Sequence, residues 1–294
     1  MKYPSQSVLD QIVKAMPRWS YEATNVFLGF AASDIESHGS KRSIGLVRTL
    51  LDLYKADSLT SEVPLAATSN VDSAAVIVAY NNDANDSDLI RSLLIKDPSH
   101  PGFWLAESQF GLTDGDLKRT ASTLISDSKT DRLARIAAAI ALSAQDESLI
   151  STVTHEIDAI LDRYDHVNDI TLLQRDSRVS KTQTAITLFN DLQVINMLYF
   201  FKAAESQRLV AKSMASMNPF IRAIGTRVAA MRFPGVLLRE LPSTLSKSTR
   251  IHFMALLLIY HPEYRDQVLG LERPDELDKA INEMQTSQIL GLFF

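Results

Sequence analysis

The amino-acid sequence predicts an all-α fold, an irregular stack of helical hairpins. Three observations carry that prediction. Apolar residues recur at 3.6-residue spacing along most of the chain, between polar breaks and capping residues. Two stretches, 131–161 and 219–246, share one helix-pair pattern at an offset of 88 residues. No strand pair and no Asn-Gly hairpin signal is found, and β-branched runs such as Val76-Ile77-Val78 are too few to build a sheet.

Taken in order, Ser7 with Asp10 marks a helix start, followed by Val8, Ile12, Val13 and Met16 until Pro17. Val26, Phe27, Phe30, Ala31 and Ile35 form a second stripe, ended by Gly39, and Val47, Leu50, Leu51 and Tyr54 a third. Segment 57–72, with Pro64 and many Ser, Thr and Ala residues, is the expected domain boundary. It separates an N-terminal helical segment, 1–70, from a helical domain, 71–294, although one continuous domain remains open. Short helices are expected over 73–80, 88–96 and 102–109. Thr113-Asp114-Gly115-Asp116 caps the next helix, with Leu117, Ala121, Leu124 and Ile125 on its stripe. Ala185–Ala204 is apolar nearly all round and is expected to be the central helix of the C-terminal half. Ile251–Tyr260 is similar and ends at Pro262.

In the paired stretches, Leu133, Ile136, Ala137, Ile140 and Ala141 fall on Ile221, Ile224, Gly225, Val228 and Ala229. Leu149, Ile150 and Val153 fall on Leu237, Leu238 and Leu241, after the breaks Gln145-Asp146-Glu147 and Arg232-Phe233-Pro234-Gly235. With Arg135 and Arg222 near their starts, Asp131–Ile157 and Asn218–Leu241 resemble HEAT-like α-solenoid repeats. Segment 250–259 resembles a degenerate third first-helix. The resemblance covers about a third of the chain and implies stacking on neighbours and a protein-binding surface. In length and overall character the chain also resembles accessory helical subunits of Dot/Icm type IV secretion coupling complexes. That likeness implies a cytoplasmic subunit held at a membrane-anchored platform.

Composition narrows the function classes. The 294 residues are 46% hydrophobic and 22% charged, ordinary for a globular protein. With no cysteine, disulfides, thiolate metal sites and cysteine nucleophiles are excluded. Met1-Lys2-Tyr3-Pro4-Ser5 shows no secretion signal, and the most apolar window, Ala185–Phe201, holds Asn190, Asp191, Gln193 and Asn196, too costly for lipid. No membrane span is expected, and peripheral association would run through partners.

Searches for chemistry return little. There is no G-x-S-x-G, H-E-x-x-H or phosphate-loop motif, and Gly39–Gly45 is better explained by a cap and a turn. Asp83–Asp88 begins like a calcium loop but lacks its sixth-position glycine and has Leu94 where the bidentate glutamate belongs. A helix cap at Ser87 or Asp86 accounts for those residues. Asp162 and His166, with Asp158 a turn earlier, share a helix face, which as a single cluster is a polar surface rather than a metal site. Of His252 and His261, one is expected to be packed and the other to sit as a cation at a helix C-terminus. No cofactor, metal or catalytic residue is therefore assigned.

Charge and the C-terminus supply the candidate binding residues. Residues 202–250 carry nine Lys/Arg against two acids, whereas 251–294 carry three basic against seven acidic residues. Either neighbouring helices complement one another, or Arg222, Arg227, Arg232 and Arg239 face an acidic partner. Nucleic acid is disfavoured by the net charge of −5 and the lack of interleaved aromatics. The tail, with Ile289, Leu290, Leu292, Phe293 and Phe294, is expected to dock on another subunit. The sequence thus points to a non-catalytic adaptor or scaffold bound to other protein subunits. The alternative is an enzyme or ligand-binding helical domain with a site between its two halves.

Overall fold

The computed structural model describes residues 6–58, 64–81, 83–164, 181–241 and 245–283, and every regular element among them is helical. The α-helices are α1 (Gln6–Ala15), α2 (Tyr21–His38), α3 (Lys41–Lys55), α4 (Pro64–Tyr80), α5 (Ala84–Lys96), α6 (Pro101–Phe110), α7 (Gly115–Ser126) and α8 (Arg132–Ser143). They continue with α9 (Ser148–Tyr164), α10 (Lys181–Asn196), α11 (Glu205–Ala215), α12 (Pro219–Arg232) and α13 (Pro234–Glu240). The last three are α14 (Lys247–Tyr260), α15 (Arg265–Leu269) and α16 (Pro274–Glu283). The chain divides into two compact units, with the break between Leu142 and Ser143. The boundary expected near residue 70 falls inside α4, where Pro64 opens the helix as proline does at its first position.

In the first unit α4 is the hub, packing against α2, α3, α5 and α6. Ala74, Ala75, Val76, Ile77, Val78 and Ala79 are all buried, so the β-branched run lies in a helix buried on several sides. Its contact with α6 is the closest: a Cβ on Gly102 would lie 2.5 Å from Asp72 Cα. The helix ends obey local rules. Ser20 accepts from the Ala23 amide, Gly39 closes α2 at φ +59°, and Ser40 accepts from the Ser43 amide, giving the cap and turn expected there. Asp114 accepts from the Asp116 and Leu117 amides, opening α7 as predicted.

The second unit is organised around α12, which packs against α10, α11, α13 and α14. Here too a glycine sets the approach, because a Cβ on Gly225 would lie 2.6 Å from Ser213 Cβ on α11. The hub is thus α12 and not the 185–204 segment. That segment is also not one helix: α10 stops at Asn196, a 3₁₀ turn covers Met197–Tyr199, and Phe200 and Phe201 turn into the core. Arg232 Nη1 donates to the Tyr199 carbonyl, satisfying a backbone acceptor exposed by that stop.

Of the polar residues of α10 that disfavoured lipid, Asp191, Gln193 and Asn196 are buried and Asn190 is partly exposed. Asp191 is fully buried, accepting from Arg163 Nη1 at 2.6 Å and from the Tyr164 hydroxyl at 2.8 Å. Both 88-offset stretches are helical, with Ile136 and Ile224 buried in their first helices, but α8 and α9 of the first stretch belong to different units. Their second helices differ, since α9 has 17 residues and α13 only seven. Arg208 and Lys212 pair with Asp158, Lys212 also with Asp162, Lys247 with Glu276 and Arg250 with Glu272, so part of the basic segment complements its neighbours.

Candidate functional site

An exposed apolar surface lies along α1, the 3₁₀ turn Met16–Arg18 and α2. Pro17 stops α1 after Ala15, and Trp19 leaves in an extended conformation before Ser20 caps α2. That bend brings Ile12 and Trp19 beside the first turns of α2. Together with Glu22, Ala23, Val26, Phe27 and Phe30 they line an open groove. Trp19 and Phe27 meet at 5.3 Å between ring centroids and form its aromatic floor.

Two apolar faces on α2 explain why the groove stays open. Leu28, Ala31, Ala32 and Ile35 are buried and face the core. Ala23, Val26, Phe27 and Phe30 recur at i, i+3, i+4 and i+7, the spacing of a second stripe. Val26 is 60% and Phe30 72% exposed, with Val8 of α1 at 42%. The single stripe expected from the sequence, Val26 through Ile35, is therefore split: Ala31 and Ile35 are core, whereas Val26 and Phe30 face solvent. The missed signal was the number of apolar positions on α2, too many for one core-facing strip. Glu22 is the groove's only charged lining residue. Its own backbone amide and the Ser20 hydroxyl at the helix N-terminus hold its carboxyl below the usual range.

The arginines singled out by sequence differ in burial and in what they touch. Arg222 Nη1 donates to the Ser216 carbonyl at 3.1 Å, and Arg232 donates to the Tyr199 carbonyl while lying over the Phe233 ring. Arg239 is exposed and pairs with its neighbour Glu240. Arg227 is half-buried, and burial pushes its guanidinium, like that of Arg232, below the ordinary arginine value. The tail residues Ile289, Leu290, Leu292, Phe293 and Phe294 lie outside the described residues, as does His166.

Acidic clusters resolve into ion pairs and caps. Asp158 and Asp162 share a face of α9, as expected, and Arg208 and Lys212 occupy their oxygens. Those cations hold the Asp158 carboxyl below its usual range, Arg208 foremost. In 83–88, Asp83, and not Ser87 or Asp86, caps α5 by accepting from the Asn85 amide. Arg48 bridges Asp83 and the buried Asp86 at 2.9 and 2.5 Å, committing both carboxylates to a cation from α3. Among the described residues no group of three His, Asp or Glu side chains is placed to hold a metal ion. At the end of α14, His261 Nε2 lies 3.0 Å from the Met231 carbonyl, while His252 is exposed on that helix.

No described helix is long and apolar enough to cross a membrane. The chain matches no family model, no curated protein and no solved structure in the comparisons made, so the geometry alone carries the functional argument.

Proposed function

We propose that this protein is a non-catalytic adaptor or scaffold subunit that binds other protein subunits through the α1–α2 groove. The observation carrying the reading is the second apolar stripe of α2, with Val26 and Phe30 largely in water while a full core stripe lies behind them. Single exposed apolar residues are ordinary, but a contiguous strip with an aromatic floor is the surface that protein partners cover. Its i, i+3, i+4, i+7 spacing suits a partner helix that lays its own apolar face against α2. In the other unit, Met217 and Phe220 are 54% and 46% exposed at the start of α12, a second place for apolar contact. A place in a Dot/Icm type IV secretion coupling complex, with the apolar tail from Ile289 to Phe294 docked on a neighbour, is the narrower form of this proposal. It rests on length, helical character and the composition of the tail.

The test uses the full chain, tagged and recovered from its native cells, beside the Val26→Asp/Phe30→Asp variant. The parent is expected to retain a stoichiometric protein partner. The variant is expected to lose it with an unchanged melting temperature, because both side chains already face water. Equal recovery of the same partner by the variant would overturn the assignment of the groove. Turnover of a small molecule by the isolated protein would overturn the non-catalytic reading.

A further inference from the structure

A polar chain inside the first unit joins three helices, and its hydrogens can be counted. His100, immediately before α6, is 2% exposed and stacks on Phe103 at 4.7 Å between ring centroids. Its Nδ1 lies 3.2 Å from Asp72 Oδ1 of α4, an oxygen that also accepts the Gly102 amide at 2.8 Å. Its Nε2 lies 2.8 Å from the Tyr54 hydroxyl at the end of α3. That hydroxyl lies 3.2 Å from Asp97 Oδ2 in the α5–α6 connection, and His100 Nε2 is 3.5 Å from the same oxygen.

Tyr54 has one hydrogen for two acceptors. If His100 is neutral with its proton on Nδ1, Tyr54 donates either to Nε2 or to Asp97, and the other acceptor is left without it. If the proton sits on Nε2, a bare Nδ1 lone pair faces the Asp72 carboxylate. With Asp72 ionised, only the imidazolium satisfies every contact: Nδ1–H donates to Asp72, Nε2–H donates to the Tyr54 oxygen, and Tyr54 donates to Asp97. Charge agrees with this count. The groups facing His100 are Asp72 from α4, Tyr54 from α3 and Asp97 from the connection. The nearby ammonium of Lys96 is engaged by the Tyr54 and Lys55 carbonyls and by Asp57, with its head 4.8 Å from the centre of the Tyr54 ring.

We propose that His100 is a proton-dependent latch: its imidazolium ties the end of α3 and the start of α6 to the middle of α4, and alkalinisation weakens that joint by removing one of its hydrogens. Burial opposes the charge, but the hydrogen bond and charge of Asp72, with the charge of Asp97, outweigh it and hold the imidazole pKa above 6.5. Burial also pushes the Asp72 carboxyl up, which competes for the same proton. The bond and charge of His100 and the Gly102 amide on Asp72 Oδ1 favour the carboxylate. A folded pKa above the unfolded one gives a contribution fully present below about pH 6.5 and lost as pH rises through the folded value.

Nuclear magnetic resonance of the histidine side chains in the full chain tests the latch. His100 is expected to carry both ring protons at pH 6.5 and to titrate above that pH. Asp72→Asn is expected to lower the midpoint by about one pH unit or more, the size of a lost neighbouring charge. Tyr54→Phe, which leaves the buried carboxylate in place, is expected to lower it less, and decides the matter if Asp72→Asn does not fold. The parent's melting temperature should fall across the same titration, and that fall should be absent in His100→Gln. A His100 that is neutral at pH 6.5, or a midpoint that Tyr54→Phe leaves in place, would overturn the proposal.

Discussion

Replacing Asp191 with alanine removes a carboxylate that holds two partners inside the second unit. The Tyr164 hydroxyl, 2.8 Å away, belongs to a side chain only 1% exposed. Leaving such a group unsatisfied costs about 1–3 kcal/mol. Arg163, at 2.6 Å, is 46% exposed, so its head turns to solvent and adds less than about 1 kcal/mol. The sum, roughly 1–4 kcal/mol, corresponds to a melting-temperature drop of about 3–12 °C for a unit of this size. Scanning calorimetry or urea unfolding of the full chain reads it, with the effect confined to the transition of the second unit. Tyr164→Phe provides the control, because it deletes the stranded hydroxyl. The double variant should therefore be destabilised by less than the sum of the two single variants. In the parent, burial and the Asp191 carboxylate push the Tyr164 phenol up to about 12. Its folded pKa exceeds the unfolded value, so stability falls as pH rises between about 10 and that value. Asp191→Ala melting within a degree of the parent would refute the idea that this triad ties α9 to α10.

Other perturbations follow from the packing. Ile136→Asp and Ile224→Asp each place a charge at a buried position and should cost several kcal/mol, about 3 or more, in urea unfolding. Parent-like melting of both would break the alignment of the two sequence stretches. Gly102→Ala sets a methyl group against the Asp72 backbone, so α4 and α6 must separate, at about 1–3 kcal/mol by calorimetry. Arg239→Glu, on an exposed side chain beside Glu240, should leave melting within about 0.5 kcal/mol of the parent. Arg232→Glu should destabilise measurably through loss of its bond to the Tyr199 carbonyl.

Helix faces and caps were legible in the sequence because both follow local rules. Asp114 at α7 and the Gly39-Ser40 junction could be placed from residue type and spacing alone. What escaped was set by tertiary partners. The run 185–204 contains no breaker, and its helix stops at Asn196, where Phe200 and Phe201 enter the core and an arginine from α12 takes the Tyr199 carbonyl. Asp86 looked like a cap or a ligand, but Arg48, 38 residues away, decides its role. The candidate groove was hidden in what was read as a single apolar stripe. Periodicity says that residues share a face, not that a neighbour covers it. The role of the basic segment turned on pairings such as Arg208 with Asp158, which join positions 50 residues apart.

Photocrosslinking tests the central claim most directly. A photoreactive phenylalanine analogue at Phe30 places the probe in the groove, and one at Ile95, also 72% exposed but outside the groove lining, serves as the control. In native cells the docking account predicts one discrete protein adduct from position 30 and none in common with position 95. The same diffuse products from both positions, or no adduct at position 30, would contradict it.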